Sequence, residues 1–284
     1  MSSCPGQGSS RCPTCSRPSS PPSSSRAYSI RSPPSRNDDF CAGGPRTISH
    51  EEVEMELETV FGLVHGGCHG AWCWQRVIGA LDVLGHRGVA MDLPCDDDSA
   101  GAQRYAEVVL DALADVDGNV VLVGHSLGGL TIPLVAAERP VRTLIFLSAV
   151  LPMPGKSLIQ QQETEPEMVF PNPDGPSAFR RRLYGTAADA DAAWALAQIR
   201  PQAQTPYHEE TPLKAWPDVD AAFIVPTEDR AVNSVWARRA ARERLGIEAH
   251  EMIGADHSPF LSRPAELARL LVELAVSKEQ AHGA

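Results

Sequence analysis

Residues 120–129 read VVLVGHSLGG, an apolar run followed at once by a serine with glycines on both sides of it. The run Val120–Val123 predicts a buried β-strand, and the pattern from Leu127 onward predicts a helix directly after the turn. A serine on such a tight turn projects its hydroxyl from the sheet edge, while the flanking glycines let neighbouring backbone pack closely. The stretch therefore predicts Ser126 as a catalytic nucleophile.

Short β-rich runs alternate with longer helical patterns from residue 58 onward. This alternation is typical of the α/β class, with a mostly parallel central sheet flanked by helices. The predicted strands are Thr59–Val64, His86–Met91, Asn119–Val123, Val141–Leu147, Ala221–Val225 and Ile247–Ile253. The predicted helices are Trp72–Leu84, Gln103–Ala114, Leu127–Ala137, Asn233–Leu245 and Pro264–Val276. Such a sheet carries its functional loops at the carboxyl ends of its strands.

The segment 152–216 interrupts this alternation with short helical pieces rich in Pro, Gln, Asp and Ala. We interpret it as a small helical cap inserted above the sheet. Its larger side chains are candidates for lining an apolar substrate pocket, and equally for holding the cap together. They are Met153, Phe170, Phe179, Tyr184, Trp194, Tyr207 and Trp216.

The amino-terminal segment has a different composition. Residues 1–37 contain 13 Ser, seven Pro, five Arg and no acidic residue, which leaves too little apolar surface to offset the entropy of ordering them. We therefore predict a disordered Ser/Pro/Arg-rich tail over residues 1–54 and a catalytic domain over residues 55–284. Two alternatives stay open: an organelle transit peptide, although the prolines would break its helix, or a start codon placed too early, with Met55 as the real beginning.

Charge and composition limit the classes of molecule that the protein can bind. The chain carries a net charge of −11, and removing the tail's +5 leaves −16 for residues 38–284. This acidity disfavours nucleic acid or an anionic membrane as a partner and favours a small molecule. No apolar stretch approaches the length of a membrane span, and the amino terminus lacks the apolar core of a secretory signal. The seven cysteines are an odd number crowded into the first third of the chain, a pattern that is not typical of a disulfide framework. We expect a soluble cytoplasmic protein, and its oligomeric state stays open.

A serine nucleophile needs a base that takes its proton and an acid that fixes the imidazole tautomer. His257 is the best placed of the nine histidines, because it lies between the last predicted strand and the terminal helix. Asp229 follows the preceding predicted strand, which gives the chain order Ser, Asp, His. Glu228 stays an alternative acid, whereas Asp256 is expected to cap or bend its loop because adjacent side chains rarely face each other.

Acyl transfer also requires donors for the oxyanion of the tetrahedral intermediate, usually two backbone N–H groups. Leu127, directly after the nucleophile, is the first candidate. Gly67 is the second, because the glycine-rich loop that follows the first predicted strand ends at the same sheet edge. The predicted chemistry requires neither a metal ion nor an organic cofactor.

Residues 65–74, HGGCHGAWCW, resemble the corresponding segment of plant methylesterases and hydroxynitrile lyases, which are α/β-hydrolases. Many bacterial esterases are similar as well. The likeness continues through 124–129, 227–229 and 254–257, so at motif level it covers most of residues 58–276 but little of the cap. The resemblance implies the α/β-hydrolase fold.

By this resemblance, Ser126, Asp229 and His257 match the catalytic triad, and Gly67 and Leu127 match the oxyanion donors. Hydroxynitrile lyases carry a lysine directly after the catalytic histidine, where this chain has Ser258, and this difference favours hydrolysis over cyanide elimination. The aspartate nucleophile of haloalkane dehalogenases is excluded, because a serine occupies that position here.

The expected function is hydrolysis of carboxylic esters of small molecules through an acyl-enzyme intermediate. A carbon–carbon hydrolase or lactonase would use the same triad, since fold and triad do not fix the leaving group. A ligand receptor is the alternative from another class, because plant hormone receptors reuse this fold. The sequence does not identify the substrate.

Overall fold

The computed structural model describes residues 58–172 and 174–276. Its strands are β1 Val60–Val64, β2 Arg87–Ala90, β3 Val120–His125, β4 Thr143–Leu147, β5 Asp220–Pro226 and β6 His250–Met252. All pairs are parallel, in the spatial order β2-β1-β3-β4-β5-β6. The predicted α/β class with a parallel sheet is therefore confirmed. The predicted tail over residues 1–54 lies outside the described residues.

The four inner strands carry buried apolar side chains along most of their length because both faces of the sheet are covered. Successive side chains of β3 point to opposite faces, so Val121 and Val123 join one buried cluster while Val120 and Leu122 join the other. An uninterrupted run of valines and leucines is the expected sequence of such a strand, and this explains why the sequence located β3 so clearly.

Helices cover both faces of this sheet. They are α1 Gln75–Val83, α2 Ala102–Ala112, α3 Ile132–Glu138, α4 Leu158–Thr164, α5 Pro176–Tyr184, α6 Asp189–Leu196, α7 Thr205–His208, α8 Ser234–Ala240, α9 Pro259–Ser262 and α10 Pro264–Val276. The apolar sides of α1 and α10 pack on one face, and those of α2, α3 and α8 pack on the other. In residues 58–172 and 174–276, no helix is both long enough and apolar enough to cross a membrane.

Element boundaries differ from the sequence prediction at several helices and at both edge strands. The helix predicted from Leu127 is divided into a 3-10 turn, Ser126–Leu130, and α3. The backbone there packs so closely that a Cβ at Gly129 would overlap the Val150 carbonyl oxygen. The edge strands β2 and β6 are shorter than predicted, because an edge strand pairs on one side only and most of their side chains are partly or fully exposed.

The segment between β4 and β5 contains α4 to α7 and is tied to the rest of the domain by Arg244. Its Nη2 lies 2.6 Å from the Glu165 carboxylate, and its Nη1 donates to the Leu151 carbonyl at 2.8 Å. The Trp236 indole N–H donates to the same carboxylate at 2.7 Å. The two ionised side chains are only 10% and 20% exposed, so little water replaces a lost partner.

Replacing Arg244 with methionine should lower the free energy of unfolding by about 2 kcal/mol, because the partly buried Glu165 carboxylate would keep only the guanidinium of Arg239, 3.8 Å away, as a cationic partner. Urea denaturation at pH 7 measures the change. The matched control is Arg242→Met, which breaks the exposed pair with Glu248 and should cost less than about 0.5 kcal/mol. Equal losses in the two variants would contradict the anchoring role of Arg244.

Candidate functional site

Backbone strain marks one edge of the sheet. Among the described residues, three non-glycine residues have positive φ: Cys68 at 65°, Ser126 at 51° and Ser148 at 47°. They follow β1, β3 and β4, which are neighbours in the sheet, so all three lie at its carboxyl edge. Such conformations cost energy and cluster at functional sites. The edge is therefore the candidate site.

Ser126 stands on the tight turn that the sequence predicted. A Cβ at Gly124 would lie 2.9 Å from the Gly128 carbonyl oxygen, and a Cβ at Gly128 would lie 2.9 Å from the His65 carbonyl oxygen. Larger residues at either glycine would push the turn away from its neighbours. The Ser126 carbonyl in turn accepts a hydrogen bond from the Val150 N–H at 3.1 Å, which fixes the turn against the loop after β4.

Asp229 and His257 are brought together although 28 residues separate them in the chain. Both carboxylate oxygens lie 3.1 Å from the imidazole Nδ1, and both side chains are nearly inaccessible to solvent. Asp229 Oδ1 also accepts hydrogen bonds from the N–H groups of Ala231 at 2.7 Å and Val232 at 3.0 Å. These donors hold the carboxylate in place.

Ser148 joins this pair, and the sequence analysis missed it. Its hydroxyl hydrogen-bonds Asp229 Oδ2 and lies 2.8 Å from His257 Nδ1. The side chain is buried, and its positive φ aims the hydroxyl into the gap between strand ends. The sequence offered a single signal, a polar residue directly after an apolar strand, and many other serines have the same setting.

The rival acids occupy other places. Glu228 is exposed, whereas the Asp256 carboxylate accepts hydrogen bonds from the Thr186 N–H at 2.8 Å and the Ser258 N–H at 3.1 Å. Asp256 thus fixes the loop that carries His257 and links it to the segment between β4 and β5. Of the three acidic candidates, Asp229 is the one that hydrogen-bonds the imidazole.

The imidazole of His257 lies beside the end of β3. The His125 Nε2–H donates to the His257 carbonyl at 2.9 Å, and the two rings are 4.7 Å apart between centroids. His257 is thereby held against the residue that precedes Ser126. Within the described part of the chain, the Ser126 hydroxyl and the His257 imidazole form no hydrogen bond with each other.

Two buried histidines shape the glycine loop after β1, and these too were missed. His65 Nδ1–H donates to the Gly66 carbonyl at 2.8 Å, and its Nε2 accepts the Leu93 N–H at 3.0 Å. His69 Nδ1–H donates to the Gly67 carbonyl at 2.8 Å. Its Nε2 accepts the Tyr184 hydroxyl, also at 2.8 Å. The signal was present, since two histidines flank the glycines in residues 65–69.

These roles require neutral rings, because each histidine donates at one nitrogen and accepts at the other. Burial lowers the pKa of His65 from 6.5 to about 4 and the pKa of His69 to about 3. Burial also lowers the pKa of His125 well below its usual value, and the nearby His257 adds to this effect. The imidazoles around the loop are therefore neutral at pH 7.

The two N–H groups predicted to bind an oxyanion are both available to a ligand, and the fixed Gly66 carbonyl orients the first of them. A trans peptide places its C=O and N–H on opposite sides, so the His65 bond to the Gly66 carbonyl turns the Gly67 N–H the other way. That N–H has no acceptor among the described residues. Leu127 is the second residue of a 3-10 turn, where N–H groups lack intrahelical acceptors.

The glycine loop and the serine turn are in contact. A Cβ at Gly66 would lie 2.8 Å from the Ser126 Cβ and equally close to His125 Nδ1, so only glycine fits there. The arrangement offers a hydroxyl, an imidazole held by a carboxylate, and two free backbone donors on touching loops. Across residues 58–172 and 174–276, no group of three or more His, Cys, Asp or Glu side chains is arranged to hold a metal ion.

Comparison with known proteins identifies the family of the chain. Probable esterase PIR7A of Oryza sativa subsp. indica is 31% identical over 254 residues, which span 76% of this chain and 96% of the relative. Methylesterase 7 of Arabidopsis thaliana is 31% identical over 256 residues, which span 78% and 98%. The crystal structure of polyneuridine aldehyde esterase has the same fold, with a TM-score of 0.66 at 24% identity over 77% of this chain and 99% of that chain.

The sequence profile of the Alpha/beta hydrolase family matches residues 63–270, which include all six strands except the first three residues of β1. The match spans the serine turn, the Asp229 loop and the His257 loop. The chain therefore belongs to the α/β-hydrolase family.

Proposed function

We propose that this protein hydrolyses carboxylic esters of small molecules, with Ser126 as nucleophile, His257 as general base and Asp229 as the acid that orients it. The observation that carries the proposal is the buried contact between Asp229 and His257 Nδ1, at the sheet edge where Ser126 stands on a strained turn. The esterase and methylesterase names of the rice and Arabidopsis relatives support the same chemistry.

In the first step, Ser126 Oγ attacks the ester carbonyl carbon while its proton passes to His257 Nε2. The carbonyl π electrons move to the oxygen, and the N–H groups of Gly67 and Leu127 stabilise the resulting oxyanion. The intermediate then collapses, the C–O bond breaks, and the alcohol leaves with the proton that His257 returns. An acyl-enzyme on Ser126 is left.

In the second step, His257 takes a proton from water, whose oxygen attacks the acyl carbon. A second oxyanion forms in the same place, and its collapse releases the carboxylic acid as Ser126 regains its proton. Throughout, Asp229 keeps Nδ1 protonated and stabilises the imidazolium by its charge. In free enzymes the contact between nucleophile and base is often long or misaligned, and we infer that a rotation of the Ser126 side chain closes it when substrate binds.

The segment 152–216, which the sequence predicted as a cap, would cover this edge. Asp256 bonds the backbone of Thr186 in this segment, and His69 bonds Tyr184. We propose that the segment excludes water from the ester and supplies the walls of the substrate site. This gives the cap a structural link to both the base loop and the oxyanion loop.

Replacing Ser126 with alanine should lower kcat for 4-nitrophenyl acetate by at least about a thousandfold, because the covalent route is lost. Steady-state hydrolysis at pH 8 measures it, with the thermal melting temperature as a check on folding. Full activity in the folded variant would refute the proposed function. Tight ligand binding by the native protein with no turnover of any ester would also refute it, and would indicate a receptor.

Replacing Ser148 with alanine should lower kcat about tenfold and leave KM within about twofold, because Asp229 loses a hydrogen bond that positions it against His257. The matched control is Ser258→Ala. Ser258 is also buried and next to His257, but its hydroxyl has no partner among the described residues. Equal kcat values for the two variants would contradict the role of Ser148.

The proposed oxyanion loop depends on neutral histidines, so the fold should lose stability in mild acid. Below pH 6.5 both His65 and His69 become protonated in the unfolded chain. In the folded protein, His65 stays neutral down to about pH 4 and His69 down to about pH 3, because their pKa values are lowered. The unfolded state then binds more protons, so each histidine should lower the free energy of unfolding by about 2 kcal/mol at pH 5. Denaturant titrations at pH 7 and pH 5 measure the loss, and equal free energies would contradict it.

A further inference from the structure

Two cap side chains stand over the glycine loop. A Cβ at Gly67 would lie 3.1 Å from the Tyr207 hydroxyl oxygen and 3.4 Å from Gln202 Oε1. Because Gly67 has no side chain, both polar groups reach down to the backbone of the loop. A molecule bound at this loop therefore has the polar groups of Gln202 and Tyr207 within reach.

Gln202 already uses its hydrogen-bonding groups within the protein. Its Oε1 accepts the Cys68 N–H at 3.2 Å. Its Nε2 donates to the Tyr105 hydroxyl at 3.2 Å and to the Ala203 carbonyl at 3.1 Å. Gln202 thus joins the glycine loop to α2 and to its own segment, which makes it a structural residue.

Tyr207 is different. Within the described ranges its hydroxyl forms no hydrogen bond, and the residue is only partly buried. Burial raises the pKa of Tyr207, so the hydroxyl keeps its proton and offers it as a donor. The hydroxyl oxygen is not among the buried polar atoms that lack a partner, so it is accessible and free to donate a hydrogen bond to a bound molecule.

The charge beside Tyr207 also suits an acceptor. Arg182 is its cationic neighbour and is half-buried itself, which lowers the pKa of the guanidinium. Its Nη1 donates to the carbonyls of Phe170 and Pro171, at 2.7 Å and 2.8 Å. The Tyr207 hydroxyl therefore lies in the field of a positive charge, which favours an acceptor oxygen beside it.

We propose that the Tyr207 hydroxyl forms a subsite for a hydrogen-bond acceptor oxygen in the acyl chain of the substrate, close to the scissile carbonyl. This rests on the proposed function. The carbonyl oxygen itself is served by the N–H groups of Gly67 and Leu127, and the alcohol oxygen leaves toward His257. The oxygen that Tyr207 binds is therefore a further one, so the enzyme prefers esters with an ether, keto or hydroxyl oxygen in the acyl chain over purely hydrocarbon acyl chains.

The test uses two esters of the same shape, 4-nitrophenyl methoxyacetate and 4-nitrophenyl butanoate, which differ by an oxygen in place of a methylene group. We expect Tyr207→Phe to lower the ratio of their kcat/KM values about 3- to 10-fold relative to the native enzyme. Comparing ratios cancels the different intrinsic reactivity of the esters. The matched control is Tyr105→Phe, whose hydroxyl faces Gln202 and whose loss should affect both esters equally.

A ratio within about 1.5-fold of the native value in a folded Tyr207→Phe variant would overturn the subsite. So would an equal change of the ratio in Tyr105→Phe. Neither result contradicts the proposed ester hydrolysis. That proposal fails if the native enzyme hydrolyses neither ester and its activity equals that of the Ser126→Ala variant.

Discussion

The site depends on one buried electrostatic contact, in which the Asp229 carboxylate holds the Nδ1–H side of His257. Both side chains are nearly inaccessible to solvent, so protein groups must supply the remaining hydrogen bonds of the pair. Two backbone N–H groups and the Ser148 hydroxyl saturate the carboxylate. The sheet makes this convergence possible, because β3, β4, β5 and β6 are parallel neighbours and deliver their following loops to the same edge.

A second set of buried groups, the neutral imidazoles of His65 and His69, positions the glycine loop of the site. His65 and His69 hold the carbonyls of Gly66 and Gly67, and only glycine fits where the loop touches Ser126. The loop is therefore rigid before substrate arrives, which is the property that makes backbone donors effective toward a developing negative charge. The segment between β4 and β5 completes this support through the Tyr184 hydroxyl. With the bonds from Asp256 to Thr186 and from Gln202 to Cys68, this contact couples the segment to the loops of the site.

The sequence predicted what local patterns encode. The inner strands are mostly apolar, and the turn around Ser126 has its own glycine spacing, so both were recognisable. Edge strands and helix breaks were less accurate because packing, as at Gly129, decides them. Ser148 could not be predicted, since its partners lie 81 and 109 residues away in the chain. The tail over residues 1–54 and the cytoplasmic location stay predictions.

The most direct measurement is a crystal structure of the protein after reaction with a fluorophosphonate, which mimics the tetrahedral intermediate. We expect a phosphonyl group on Ser126 Oγ, with one phosphonyl oxygen within hydrogen-bonding distance of the N–H groups of Gly67 and Leu127. His257 Nε2 would face the position of the leaving group. A label on another residue, or a phosphonyl oxygen turned away from both N–H groups, would contradict the central claim.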